Sequence, residues 1–131
     1  MLVSGEFEVK LAPIENYAQG QQGNQLGRMS LDKTFHGGLD AQSQGEMLSA
    51  LTKVEGSAGY VAIEQVVGVL EGKQGSFVLQ HFGIMDRAKD RLQLEVIPDS
   101  GTGELTGLSG SMKIERRDGK HFYHFDYQIM N

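Results

Sequence analysis

Cysteine is absent from this chain of 131 residues. Disulfides, thiolate metal sites and thiol catalysis are therefore excluded. An excess of basic charge is missing too: 12 Lys and Arg stand against 17 Asp and Glu, a formal net charge of −5. A nucleic-acid binder would carry a basic stripe to neutralise phosphates, so no nucleic-acid partner is expected. Long apolar runs are also lacking. Stretches free of Asp, Glu, Lys and Arg reach only 12 residues, as in Gln74 to Met85, against the ~20 needed to span a bilayer as a helix. The opening Met1-Leu2-Val3-Ser4-Gly5-Glu6 has neither a basic n-region nor an apolar h-region. A cytoplasmic protein without a membrane partner is the expectation.

Helical periodicity is missing as well. Apolar and polar residues alternate in short runs that Gly, Asp-Gly or Glu-Gly interrupts, the pattern of an antiparallel all-β domain. Phe7, Val9 and Leu11 share one face of the first run, and Pro13 ends it, since proline cannot donate to a central ladder. Residues 18–27, rich in Gln, Gly and Asn, read as an irregular loop. Turns are expected at Asp40-Ala41, Glu55-Gly56, Glu71-Gly72, 87–90, 99–103 and Asp118-Gly119. Between them lie runs near 26–39, 42–54, 59–70, 74–85, 91–98, 108–116 and 121–129, which with the first make eight. Eight meandering strands leave no exposed edge only if the sheet closes. One domain over 1–131 is predicted: an eight-stranded antiparallel β-barrel with a central, mostly apolar cavity. Glycine, 18 of 131 residues and roughly twice the usual ~7%, fits sharp bends at Gly68, Gly75 and Gly83.

The last hairpin has a clear register. A two-residue Asp118-Gly119 turn sets Ile114 opposite Tyr123 and Met112 opposite Phe125, so these four, Tyr127 and Ile129 should face inward. The central hairpin differs, because Val61, Ile63, Val67 and Val69 form one apolar face and Tyr60, Ala62, Val66 and Leu70 the other. A barrel lumen covers one such face; a second subunit is the favoured cover for the other, making a homodimer the expected assembly.

Three polar interruptions of these runs are candidate chemistry. Glu64 lies among valines, and a buried carboxylate must be paired, protonated or wet. A two-residue Glu71-Gly72 turn puts it on the face of His81; a shift of one residue puts it with Gln80, and both registers stay open. Glu64 with His81 could act as a general base with its partner, or form a polar network that holds register. Lys33 alternates in step with Met29, Leu31 and Phe35, and an Asp40-Ala41 turn would give it Glu46 as counter-ion. His121 and His124, three apart on a strand, point to opposite faces, so no metal site is expected. No Ser sits in a G-x-S-x-G elbow, and the glycines of 101–107 miss both the dinucleotide spacing and its following helix, so no cofactor is expected.

The segment Pro98-Asp99-Ser100-Gly101-Thr102-Gly103-Glu104-Leu105-Thr106-Gly107-Leu108-Ser109-Gly110 resembles the glycine-rich segment of the allene oxide cyclase and dirigent-type barrels. Three blocks are more similar to a bacterial family of unknown function. They are residues 27–33 with Phe35-His36-Gly37, the stretch from Gly59 to Glu64 through Ser76 to His81, and Gly119-Lys120-His121 with Tyr123 and Phe125-Asp126-Tyr127. What this resemblance implies is an eight-stranded barrel with an apolar lumen, often oligomeric. The plant enzymes' catalytic carboxylate and pocket residues find no match here, so cyclase activity is not implied.

Function then divides three ways. A binding module would hold a small, mostly apolar molecule against Lys33, Phe35, Tyr60, Gln80, Met112, Tyr123, Phe125 and Tyr127. A cofactor-free isomerase or cyclase would use Glu64 or His81 for proton transfer. A structural or interaction barrel would have a filled lumen.

Overall fold

The alternating runs become strands in a computed structural model that describes residues 1–130. In chain order these are β1 (Leu2–Pro13), β2 (Gln25–Phe35), β3 (Leu39–Leu51), β4 (Ser57–Leu70), β5 (Lys73–Asp86), β6 (Lys89–Val96), β7 (Thr102–Gly103), β8 (Leu108–Arg117) and β9 (Lys120–Ile129). All pairings are antiparallel, in the order β4-β3-β2-β1-β9-β8-β6-β5, and β4 pairs with β5 to close an eight-stranded barrel. The two-residue β7 is an addition, docked on the edge of β5 at Gly75 and Ser76. The irregular loop ends earlier than predicted, because Gln25–Gly27 already belong to β2.

Turn chemistry sets the registers. Glu71-Gly72 and Asp118-Gly119 both carry two positive φ angles, the two-residue turn that matches strand twist. Glu64 consequently pairs with Leu79, and His81, two residues on, shares its face. Ile114 lies opposite Tyr123 and Met112 opposite Phe125, as the last hairpin predicted.

One turn falls elsewhere. Asp40 and Ala41 lie inside β3, and the chain reverses at His36-Gly37-Gly38, where Gly37 takes φ +108. The Tyr123 hydroxyl anchors this reversal: it donates to the His36 carbonyl at 2.8 Å and accepts from the Leu39 amide at 3.0 Å. Lys33 therefore faces Ser43, and Glu46 faces Ser30 on the outer wall, where it binds Arg28 at 2.7 Å. Glu46 is not the counter-ion of Lys33.

Strand direction gives the barrel two ends. The turns at 36–38 and 71–72, the 97–107 segment and the start of β1 lie at the lower end; the 14–24 loop and the turns at 52–56, 87–88 and 118–119 lie at the upper. The lower lumen is filled by Phe35, Leu70, Phe77, Leu79, Tyr123 and Phe125, and Leu105 of the 97–107 segment closes it from below. Phe77 stacks on Phe125 with centroids 5.8 Å apart, and Phe35 meets Tyr123 edge-on at 5.5 Å. In the upper lumen, inward-facing apolar side chains keep contact with solvent. Leu11, opposite buried Leu31, is 44% exposed, and Leu92, opposite buried Gly83, is 43% exposed.

Candidate functional site

Between the filled lower lumen and the partly exposed upper positions lies a polar cluster drawn from four strands. Glu64 comes from the middle of β4, and its side chain is 0% exposed. Its Oε1 accepts the Ser43 hydroxyl at 2.7 Å; its Oε2 accepts the Lys33 ammonium at 2.9 Å and meets His81 Nε2 at 2.5 Å. Tyr60, one turn of the pleat above Ala62 on β4, brings its hydroxyl to His81 Nδ1 at 3.1 Å. Glycines make the room. A Cβ on Gly45, which faces Glu64, would lie 2.9 Å from Glu64 Cβ, and one on Gly83 would lie 2.5 Å from Tyr60 Cε1. Lys33 Nζ also sits 4.9 Å from the Phe7 ring centre and 5.5 Å from that of Phe35, so aromatic faces support its charge.

The electrostatics follow from that packing. Burial pushes the Glu64 carboxyl up, but the His81 hydrogen bond and the Lys33 charge together outweigh it and bring the pKa down to about 2. Burial, and then the Glu64 charge, push the Tyr60 phenol up to about 12. No buried side-chain nitrogen or oxygen among the described residues lacks a partner, so the cluster is complete as a hydrogen-bonded unit.

The candidate residues separate into three places. Glu64, His81, Lys33 and Tyr60 come together in the cluster. Phe35, Met112, Tyr123, Phe125 and Tyr127 are buried, and their side chains are engaged in packing: the Tyr123 hydroxyl is used by the 36–38 turn and the Tyr127 hydroxyl by Glu71. Gln80 points outward, exposed, next to Ile63 on the outer wall. Sequence reasoning did not find Ser43. Its alternation with Leu39 and Ala41 is visible only once the turn is placed at 36–38, and the Asp40-Ala41 reading concealed it. Met47, which faces Ala62 and Met29, was missed for the same reason.

His121 and His124 diverge as predicted. His121 packs on Phe7 at 5.1 Å, whereas His124 binds Glu115 at 3.0 Å and Ser4 at 2.8 Å. The 101–107 glycines form the lower cap, where Glu104 and Thr102 accept the backbone amides of Gln74 and Ser76.

Residues 3–127, nearly the whole barrel, match the family described as protein of unknown function, DUF3224. The chain belongs to the DUF3224 family. A crystal structure of a DUF3224 protein of unknown function from Shewanella oneidensis MR-1 is similar to it at 62% sequence identity. That similarity covers 100% of this chain and 98% of the other, with a TM-score of 0.97. The bacterial family resembled by the three sequence blocks is thus one without an assigned activity. No curated protein matches the chain.

Proposed function

We propose that this DUF3224 barrel binds a small, mostly apolar molecule in its upper lumen, with Tyr60 as the polar contact. One observation carries the reading. Inward-facing Leu11 and Leu92 stay more than two-fifths exposed, while Phe35, Leu70, Phe77, Leu79, Tyr123 and Phe125 of the lower half are at most 1% exposed. Val9, Met29, Met47 and Tyr60 are the partly buried neighbours that would complete an apolar wall. Methionines suit such a wall, since their flexible thioethers adapt to an occupant's shape. The likeness of residues 98–110 to the allene oxide cyclase and dirigent-type barrels adds a related architecture and no chemistry.

Proton transfer by an isomerase or cyclase is the competing reading. An acid–base catalyst near neutral pH needs groups poised near neutrality. Glu64, held at about 2, is driven away from it, which disfavours the carboxylate as the base. Native mass spectrometry followed by solvent extraction tests the proposal: a reproducible apolar mass should be retained and should be lost when Met47→Trp fills the upper lumen. A protein that retains nothing, and that takes up no naphthalene-sized probe, would return the barrel to a structural role.

We also propose that a second copy of this chain covers the outer face of β3-β4-β5. Leu48, Val61, Ile63, Val67 and Phe82 are each about half exposed there. Over Gln42–Leu48, Val61–Val69 and Ser76–Phe82, the outward positions hold one charge, Glu46, which Arg28 neutralises. A chain of net charge −5 repels its copy elsewhere, so this uncharged face is where self-association costs least. With β2 and β6 as a polar rim the face measures roughly 24 by 23 Å, of the order of the ~800 Å² per partner in a standard interface. Light scattering after gel filtration should give a dimer, and Ile63→Lys, an exposed change, should give a folded monomer. A wild-type monomer, or a dimer indifferent to Ile63→Lys, would refute this.

A further inference from the structure

For a neutral His81 ring, the hydrogen bonds of the buried cluster run in one direction, which its buried end sets. An ionised carboxylate has no hydrogen to give, so Glu64 accepts from Ser43, Lys33 and His81 alike. The hydrogen of a neutral His81 ring must then sit on Nε2, which leaves Nδ1 with a lone pair. In that tautomer Nδ1, 3.1 Å from the Tyr60 hydroxyl, accepts its single hydrogen. Tyr60 is the cluster's outermost member, only partly buried, and its oxygen is left with lone pairs alone to offer the upper lumen.

We infer that the occupant of the upper lumen carries a neutral hydrogen-bond donor, a hydroxyl or N–H on an otherwise apolar body, and gives it to the Tyr60 oxygen. This rests on the binding reading above. Ketones, ethers and carboxylates would set lone pairs against lone pairs. A cationic amine has a donor, but the cluster has no spare negative charge, because Lys33 already balances Glu64. Bringing a cation against apolar walls without a counter-ion is costly. A phenol that keeps its proton far above neutrality stays an uncharged acceptor, which suits a neutral donor and not an ion.

The probes are 1-naphthol and 1-methoxynaphthalene, in which a methyl group replaces the hydroxyl hydrogen, titrated against the wild-type protein and Tyr60→Phe. In the wild type, 1-naphthol should bind about tenfold more tightly, the worth of one hydrogen bond. Tyr60→Phe should erase the difference between the two probes. Nitrogen NMR of the wild type gives a reading that needs no variant: His81 should show a protonated Nε2 and a bare Nδ1. Equal wild-type affinities, a preference that survives Tyr60→Phe, or a hydrogen on Nδ1 would each overturn this inference while leaving the apolar site standing. Failure of both probes to bind would instead overturn the binding reading, and this inference with it.

Discussion

The same eight strands build both halves of the lumen, yet the halves are packed in different ways. Below, aromatic rings from β2, β5 and β9 interlock and Leu105 seals the end. Above, the inward positions hold Leu11, Met29, Met47 and Leu92, and Leu11 and Leu92 keep contact with solvent. The lower half can therefore supply much of the stability, which leaves the upper half free to remain incompletely packed. The charged cluster lies between them, where Glu64 is out of water but Tyr60 still reaches towards it.

The largest effects should come from the lower half and the cluster. Phe125→Ala, which removes the ring stacked on Phe77, should cost about 3–5 kcal/mol in denaturant unfolding. Lys33→Met should cost about 3 kcal/mol, because it leaves Glu64 buried without its cation. Adding Glu64→Gln should recover part of that loss, since no buried charge is then left uncompensated. A double variant as unstable as the sum of the two single ones would show that these charges do not act as a pair.

A pH titration sharpens the comparison. The folded-state pKa of Glu64, about 2, lies below its ordinary 4.5. Its contribution is then complete above about 4.5 and is lost as pH falls through that window towards 2. Across this range the wild-type unfolding midpoint should fall relative to that of Glu64→Gln, whose amide does not titrate. Parallel curves would mean that the carboxylate is not held by Lys33 and His81. The smallest effect belongs to the open end: Leu92→Ala should cost less than about 1 kcal/mol, because its side chain has little burial to lose. A loss as large as that of Phe125→Ala would abolish the distinction between the two halves.

Much of the fold could be read from local signals. The Asp118-Gly119 turn carried the register of its hairpin, and with it the inward face of β9; the Glu71-Gly72 turn left two registers open in the sequence, and its two positive φ angles show which one the chain adopts. Where two local signals competed, the reading failed. Asp40-Ala41 and Gly37-Gly38 are both plausible reversals, and the choice between them is made by Tyr123, which bonds both sides of the His36-Gly37-Gly38 turn from β9, 84 residues beyond Leu39. The misplaced turn hid Ser43 and suggested Glu46 for Lys33. Gln80 was an error of a different kind, since the register that sets His81 inward necessarily sets its neighbour outward.

By itself the sequence determined the all-β class, the number of barrel strands and the register of the last hairpin, because alternation and two-residue turns are properties of neighbouring residues; it left Glu64 between His81 and Gln80, and the structure chose His81. Only the tertiary structure decided that Lys33 meets Glu64 past the intervening β3, that Tyr123 holds a distant turn, and that inward side chains are buried at one end of the barrel while Leu11 and Leu92 at the other keep contact with solvent. Those outcomes depend on strand order, closure and stagger around the barrel, which bring together side chains whose separation along the chain carries no periodic signal.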